Sequence, residues 1–265
     1  MTTDFLARIV ATKRAALEAA KKTIPYETIS QEATSIRQSS RPHALTKVLR
    51  NNQINVIAEF KRRSPSKGVI RDNVSPQTMA RFYGSGGAAA ISVLTEEHFF
   101  DGSLDDLRAV RAAVSLPVLR KDFIVDDYQV YESAAAGADA LLLIVALLSD
   151  DSLNRLRRLT EEELGMDALV EVHTKTEMER ATASGAKFVG VNNRDLKTFA
   201  VSVDTSVELL SQRPADGILI SESGFNSGAD LRRLHALGYN GFLIGESLMS
   251  AERPDKMLRE LIGAN

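Results

Sequence analysis

The sequence predicts an α/β protein, a closed (β/α)8 TIM barrel preceded by a helical N-terminal extension. Two observations carry the prediction: eight short apolar runs, each followed by a segment of helical period, and glycines at the joints where each helix gives way to the next strand. The repeat is roughly 25 residues, the length of one strand and one helix. Runs that are apolar throughout are buried on both faces, as parallel strands covered by helices must be. Strict alternation eight times over favours a sheet closed on itself. The rival, an open doubly wound sheet, would need an early G-x-G-x-x-G turn for dinucleotide binding, and the chain has none.

In order, 56-VIAEF-60 leads to a helix over 76–83, entered through Ser75, and 89-AAISVL-94 to a helix over 104–114, entered through Ser103. The run 117-PVLRKDF-123 precedes a helix over 127–136, 140-ALLLIV-145 one over 152–164, and 168-ALVEV-172 one over 176–184. Then 188-FVGVNN-193 precedes 206–212, 217-GILISES-223 precedes 230–237 behind Ser227, and 241-GFLIGES-247 precedes 253–261. A serine just ahead of a helix accepts hydrogen bonds from its unpaired first N–H groups. Gly86-Gly87, Gly137, Gly165, Gly185 and Gly238 stand where helix ends call for a left-handed residue.

Residues 1–55 precede the repeat. Phe5, Ile9 and Leu17 fall on one helix, a polar stretch runs to Ser40 and Pro42, and an apolar return follows at Leu45 and Val48. Because Phe5, Leu6, Ile9 and Val10 need burial, a helical extension packed on the barrel is expected rather than a disordered tail, leaving residues 56–265 as the barrel.

Composition narrows the functions. The chain is 44% hydrophobic and 26% charged, with Lys+Arg 33 against Asp+Glu 35, so no general basic field awaits nucleic acid and any anion site must be local. Cysteine is absent, which removes disulfides, thiolate ligands and a cysteine base. The N-terminal segment is too charged for a secretory signal and the longest apolar stretch, 140–148, is far too short for a membrane span, so no membrane partner and a cytoplasmic location are expected.

The C-terminal ends of barrel strands form the face where active sites are built. Glu59 and Lys61 end the first run, Lys121 the third, Glu171 the fifth, Asn192 and Arg194 the sixth, Glu222 and Ser223 the seventh. One such residue could be a solvated loop charge or a structural ion pair; five strands aiming acids, amines and amides at one mouth point to general acid–base work. The last two strands end in Ser223-Gly224 and Gly245-Glu246, short turns that leave backbone N–H groups for a phosphate, so a phosphorylated small molecule is the expected ligand, with a plain turn as the alternative. His43, His98, His173 and His235 show no metal-ligand spacing, and no metal is expected. Arg62-Arg63 and Arg232-Arg233 read as solvated pairs, and Met79, Met166, Met178, Met249 and Met257 as packing.

Taken in order, 58-AEFKRRSPSKG-68, 92-SVLTEEHFFDGSLDDL-107, 118-VLRKDFIVDDYQVYES-133, 169-LVEVH-173, 190-GVNNRDL-196, 221-SESG-224 and 244-IGESLM-249 resemble the indole-3-glycerol-phosphate synthase family of tryptophan biosynthesis. The resemblance implies conversion of 1-(2-carboxyphenylamino)-1-deoxyribulose 5-phosphate to indole-3-glycerol phosphate with loss of CO2 and water, without metal or organic cofactor. It makes Lys121 the general acid of ring closure. It divides dehydration among Lys61 as acid, Glu59 as base and Glu171 holding Lys121, although the sequence leaves open which of Lys61, Lys121 and Glu171 is the acid in that step. It gives Asn192 and Glu222 the orienting hydrogen bonds, Arg194 the anionic groups, Ser223, Gly224, Gly245 and Glu246 the phosphate, and Ser64, Pro65 and Ser66 a covering loop; Phe123 is a candidate for packing on the aromatic ring, with a core aromatic as the alternative. A monomer or weak homo-oligomer is expected, with association with other tryptophan-pathway enzymes left open. The neighbouring isomerase of the pathway shares the phosphate loops but relies on a cysteine base, which is absent here; a catalytically silent sugar-phosphate-binding barrel is the rival from another class.

Overall fold

A computed structural model describes residues 3–195 and 198–263, with side chains from Leu6 onward; the side chain of Phe5, and Leu196 in the motif 190-GVNNRDL-196, lie outside the described residues. Eight parallel strands close into a barrel: β1 (Asn55–Phe60), β2 (Ala90–Leu94), β3 (Val118–Lys121), β4 (Ala140–Ile144), β5 (Asp167–Val172), β6 (Phe188–Asn192), β7 (Ile218–Glu222) and β8 (Gly241–Ile244). The closing seam pairs β1 with β8, Asn55 opposite Gly241 and Ile57 opposite Leu243.

The helices α1 (Thr3–Thr23), α2 (Tyr26–Gln38) and α3 (Ala44–Leu49) come before β1. After it follow α4 (Pro76–Gly86), α5 (Glu97–Phe100), α6 (Leu104–Ala113), α7 (Asp127–Ala135), α8 (Asp150–Arg158), α9 (Lys175–Ala183), α10 (Asp204–Leu209), α11 (Gly228–Leu237), α12 (Glu246–Ser250) and α13 (Pro254–Ile262). The expected caps form: Ser75, Ser103 and Ser227 accept the N–H groups of Thr78, Asp106 and Asp230 at 3.2, 3.1 and 3.4 Å. Gly87, Gly137, Gly165, Gly185 and Gly238 all have positive φ. Among the described residues no helix is long and apolar enough to cross a membrane.

Period two divides each strand between two cores. Ile57, Leu119, Leu142, Leu169, Ile220 and Leu243 pack inside the barrel, while Val56, Ala58, Phe60, Val93, Val170 and Val191 pack against the helices. Each of these Val, Leu, Ile and Phe side chains contributes about 1.5–3 kcal/mol on leaving water. Below, α3 plugs the N-terminal end: Leu45 and Leu49 join the inner core, and the Asp167 carboxylate accepts the N–H groups of Leu45 at 2.9 Å and Thr46 at 3.1 Å, capping α3 from another element. Above, α1 is tied down beside β3: Lys13 pairs with Asp122 at 2.7 Å, Lys21 with Asp126 at 3.0 Å, and Tyr128 donates to the Ile24 carbonyl at 3.1 Å.

The chain departs from the sequence expectation where short-range signals compete or are absent. The helix expected over 152–164 is α8 followed by a wide π turn over Leu159–Glu163, where the Thr160 hydroxyl donates to the Leu156 carbonyl at 2.7 Å and draws on the helix ladder. β8 stops at Ile244, because Gly245 turns the chain into α12. A two-residue hairpin, Arg63–Ser64 against Gly68–Val69, folds the loop after β1, and α5 forms because the Glu96 carboxylate accepts three successive N–H groups. Arg62 is not solvated as expected: its guanidinium forks onto Asp106 at 2.5 and 2.7 Å and lies 4.9 Å from the Phe60 ring centre, pinning that loop to α6. Arg63, Arg232 and Arg233 are exposed.

Candidate active site

Strand parity decides which side chains reach the mouth. Glu59 and Lys61 follow Ile57 at steps of two, Lys121 follows Leu119, Glu171 follows Leu169 and Glu222 follows Ile220, so each charge continues an inward-facing row of the inner core. Glu59, Lys61, Ser64, Pro65, Lys121, Phe123, Glu171, Asn192, Arg194, Glu222, Ser223, Gly224, Gly245 and Glu246 all line one cavity of about 520 Å³. Leu6 of α1 also reaches it.

The cavity has two chemically different ends. Toward β2, β3 and β4 it is walled by Leu94, Phe100, Phe123, Leu142 and Ile144, with the Phe100 and Phe123 rings 6.2 Å apart and tilted by 40°. Toward β7 and β8 it is walled by Ser223, Gly224, Gly245 and Ser247. The ionisable side chains lie between.

At the centre, Lys121 Nζ donates to Glu171 Oε2 at 3.0 Å and stands 3.3 Å from Glu222 Oε2, an ionic contact outside hydrogen-bond geometry. Burial opposes the charge on Lys121, but Glu171, Glu222 and Glu59 outweigh it and hold the ammonium well above the usual lysine range. Burial likewise opposes the charge on Glu171; Lys121, His173 and a hydrogen bond with Asn192 reverse this and keep its carboxyl below the ordinary value. For Glu222 burial wins: with Glu171 and Glu59 repelling and Lys121 only partly compensating, its carboxyl is pushed up to about 7. Two carboxylates beside one ammonium are thus driven in opposite directions, a way to obtain acid and base from one residue type. A second pair, Lys61 and Glu59, sits 2.7 Å apart at the end of β1.

Two glycines make room for these acids. A Cβ on Gly190 would lie 2.1 Å from Glu222 Oε1, and one on Gly245 would lie 2.3 Å from Glu59 Oε1. Behind Lys121, its outward neighbours Arg120 and Asp122 form a buried network, Asp122 bonding Arg120 at 3.0 Å, Lys13 at 2.7 Å and the Thr95 hydroxyl at 2.7 Å. Burial opposes the Asp122 charge, yet Lys13 and Arg120 bring its carboxyl down to about 2. Arg120 also pairs with Glu132 of α7 at 2.8 Å, so the end of β3 that carries Lys121 is anchored from both α1 and α7.

At the polar end, α12 has Gly245 as its N-cap and no side-chain cap, unlike α4, α6, α7, α8, α9 and α11, so its first N–H groups lack an intrahelical partner where Gly245, Glu246 and Ser247 line the cavity. The Glu246 side chain has another connection: it lies 3.4 Å from Lys67 Nζ and 3.6 Å from Arg194, whose guanidinium also reaches Ser66 Oγ at 3.4 Å and donates to the Phe199 carbonyl at 3.3 Å. This bridges the hairpin loop, the segment after β6 and the start of α12.

Sequence reasoning missed Lys67, His173 and Gly190, and it gave Gly245 to the phosphate without the room that this glycine leaves for Glu59. Lys67 sits inside the quoted 58–68 motif, and His173 follows Glu171 at strand period, a signal overlooked because the histidines were weighed only as metal ligands. Among the described residues no group of three or more His, Asp or Glu is arranged to hold a metal ion.

A family model described as indole-3-glycerol phosphate synthase matches residues 6–261. The indole-3-glycerol phosphate synthase of Carboxydothermus hydrogenoformans is 46% identical over 263 residues, covering 97% of this chain and 99% of that protein. That of Desulfosudis oleivorans is 47% identical over 261 residues, covering 98% of each. Among solved structures, 3-hexulose-6-phosphate synthase from Salmonella typhimurium superposes with a TM-score of 0.60 at 13% identity, covering 80% of this chain and 98% of that one, a likeness of fold.

Proposed function

The chain belongs to the indole-3-glycerol phosphate synthase family, carboxy-lyases of tryptophan biosynthesis, and on that premise we propose how its cavity carries out the reaction. The substrate, 1-(2-carboxyphenylamino)-1-deoxyribulose 5-phosphate, bears an aromatic ring at one end and a phosphate at the other. The cavity is apolar and aromatic at one end and presents uncapped N–H groups at the other, with amines and carboxylates between. That correspondence carries the reading.

The ring packs against Phe123 and Phe100, and the phosphate is held at Ser223, Gly224, Gly245 and the backbone of Glu246, with the dipole of α12 adding to the attraction. The ring carbon bearing the carboxylate attacks the C2′ carbonyl. Lys121, kept charged by its carboxylates, donates a proton to the carbonyl oxygen as negative charge grows there, a contribution of about 10²–10⁴ in rate. CO2 then leaves, and its bonding electrons restore the conjugation of the ring.

Dehydration needs one proton delivered and one removed. Lys61 protonates the departing C2′ hydroxyl, and Glu59, 2.7 Å from Lys61, takes the proton from the adjacent carbon of the new ring, leaving indole-3-glycerol phosphate. Glu171 and Asn192 hold Lys121 and the hydroxyls in line. Glu222, with its carboxyl near neutrality, returns a proton to Lys121 for the next cycle. Arg194 meets anionic substrate groups at the rim, and the loop of Ser64 and Pro65 covers the site and excludes water.

We also read residues 1–55 as an extension packed on the catalytic barrel of 56–265, and the protein as a cytoplasmic monomer or weak homo-oligomer able to associate with other tryptophan-pathway enzymes. Incubation of the purified protein with the substrate tests the function: indole fluorescence should appear together with released CO2. Absence of both at high enzyme concentration would overturn it.

A further inference from the structure

One largely buried titratable side chain touches the reacting centre without a task in that scheme. His173 lies just beyond β5, two residues after Glu171 and on the same inward parity. Its Nε2 is 3.4 Å from Glu171 Oε1, and its Nδ1 is 3.3 Å from Glu177 Oε2 in the first turn of α9. Nε2 is buried and makes no hydrogen bond to any described residue; its contact with Glu171 Oε1 is ionic, made when the imidazole is protonated. Glu177 is itself fixed, its N–H bonding Thr174 Oγ1 at 3.2 Å while its Oε2 accepts the His173 backbone N–H at 2.7 Å.

We propose that His173 is a positioning residue of this active site: clasped between Glu177 and Glu171, its imidazole holds Glu171 Oε1 and assigns the negative charge to Glu171 rather than to Glu222. The proposal rests on the catalytic reading of Lys121, Glu171 and Glu222 given above.

The geometry explains why such a residue is needed. Glu171 faces Lys121 from β3, Glu222 from β7 and Asn192 from β6. Lys121 lies within 3.0 Å of one carboxylate and 3.3 Å of the other, so it attracts both and distinguishes them poorly. His173 contacts Glu171 alone of the two. Burial opposes an imidazolium there, but the hydrogen bond to Glu177 and the charges of Glu171, Glu177 and Glu222 outweigh it and raise His173 above the ordinary histidine value. With His173 charged, Glu171 stays ionised and the shared proton resides on Glu222, the carboxyl that resupplies Lys121. With a neutral side chain in its place, Glu171 competes for that proton and Lys121 is recharged less efficiently.

A purely structural role can be separated from this one. The cap of α9 uses the Thr174 hydroxyl and the His173 backbone N–H, neither of which depends on the imidazole. His173→Gln therefore keeps the cap and removes the charge.

The test has two arms on the full-length protein. In the first, the ring resonances of isotope-labelled histidine are followed against pH, with His173 assigned by its disappearance in His173→Gln. Glu171→Gln and Glu177→Gln should each lower the His173 titration midpoint; unchanged midpoints in both would overturn the clasp. If Glu171→Gln fails to fold, the surface-side Glu177→Gln decides alone. In the second, His173→Gln should lose at least tenfold in kcat with KM within twofold of wild type, and its pH–kcat profile should shift while its thermal midpoint stays close to wild type. Wild-type kcat and an unchanged profile would overturn the proposal. The first arm needs no substrate, so moved midpoints in a protein that fails to turn over would support the clasp while refuting the catalytic reading.

Discussion

The Glu222 carboxylate occupies the space directly above Gly190, with Oε1 only 2.1 Å from where a Cβ of residue 190 would sit. The backbone of Gly190 does not require glycine by its φ; the requirement is room for the neighbouring strand's acid. What a methyl group would meet is the far end of a side chain, so the carboxylate gives way while the strand stays in place.

Gly190→Ala should accordingly reduce turnover by at least tenfold while costing only about 1–3 kcal/mol in stability, the range for overpacking a core. Steady-state kinetics beside chemical denaturation checks this. A folded variant with wild-type kcat would show that the position of Glu222 is unimportant.

Lys121→Met should lower turnover at least a hundredfold, on the scale of a lost general acid. It also leaves Glu171 and Glu222 without their common counter-charge, so their folded-state proton affinities rise. A raised acid contributes stability at low pH that is lost as pH increases through its folded value. The gap in thermal midpoint between variant and wild type should therefore widen from pH 5 to pH 8, and a constant gap would count against the charge cluster.

Glu222 gives a sharper pH signature. Its carboxyl is pushed up from 4.5 to about 7, so the folded protein binds a proton there more tightly than the unfolded chain. The resulting stability is complete below about 4.5 and is lost as pH rises through about 7. Urea denaturation between those values should show wild type losing stability relative to Glu222→Gln. The same titration should appear as a fall in kcat through pH 7, absent from Glu222→Gln.

The ion contacts of Glu246 with Lys67 and Arg194 make a prediction about binding. These groups are partly exposed, and such pairs are worth about 0–1 kcal/mol. Glu246→Gln frees two cations near the polar end of the cavity, and KM should fall about two- to fivefold at low salt, on that same scale. Added salt should erase the difference. An increase in KM would mean that the carboxylate assists binding.

Much of this was legible in the sequence because its signals are local. Glu59 and Lys61 betray their shared face by strand parity, and Ser75, Ser103 and Ser227 mark helix starts by their own chemistry. What stayed hidden depends on neighbours brought in by closure. Arg62 meets Asp106 across 44 residues of chain, and the need for Gly190 comes entirely from a side chain on another strand. The π turn after α8 arises where a threonine back-bonds within an otherwise regular amphipathic pattern. His173 carried a readable parity, but its partners Glu171 and Glu177 give it meaning only in three dimensions.

Glu59 rests on Gly245, a residue just past the last strand, so part of the floor beneath the first strand's acid comes from the far end of the barrel. That has a consequence for how the protein becomes active. Helix–strand units between β2 and β7 are built from nearby sequence, whereas the β1–β8 seam joins the most distant strands and carries the heaviest loop-closure cost. A folding chain can bury much of its apolar surface before that seam zips up, yet Glu59 and Lys61 then lack their support. Recovery of turnover during refolding thus serves as a clock for the final joining of the sheet, lagging behind signals that report helix content or collapse.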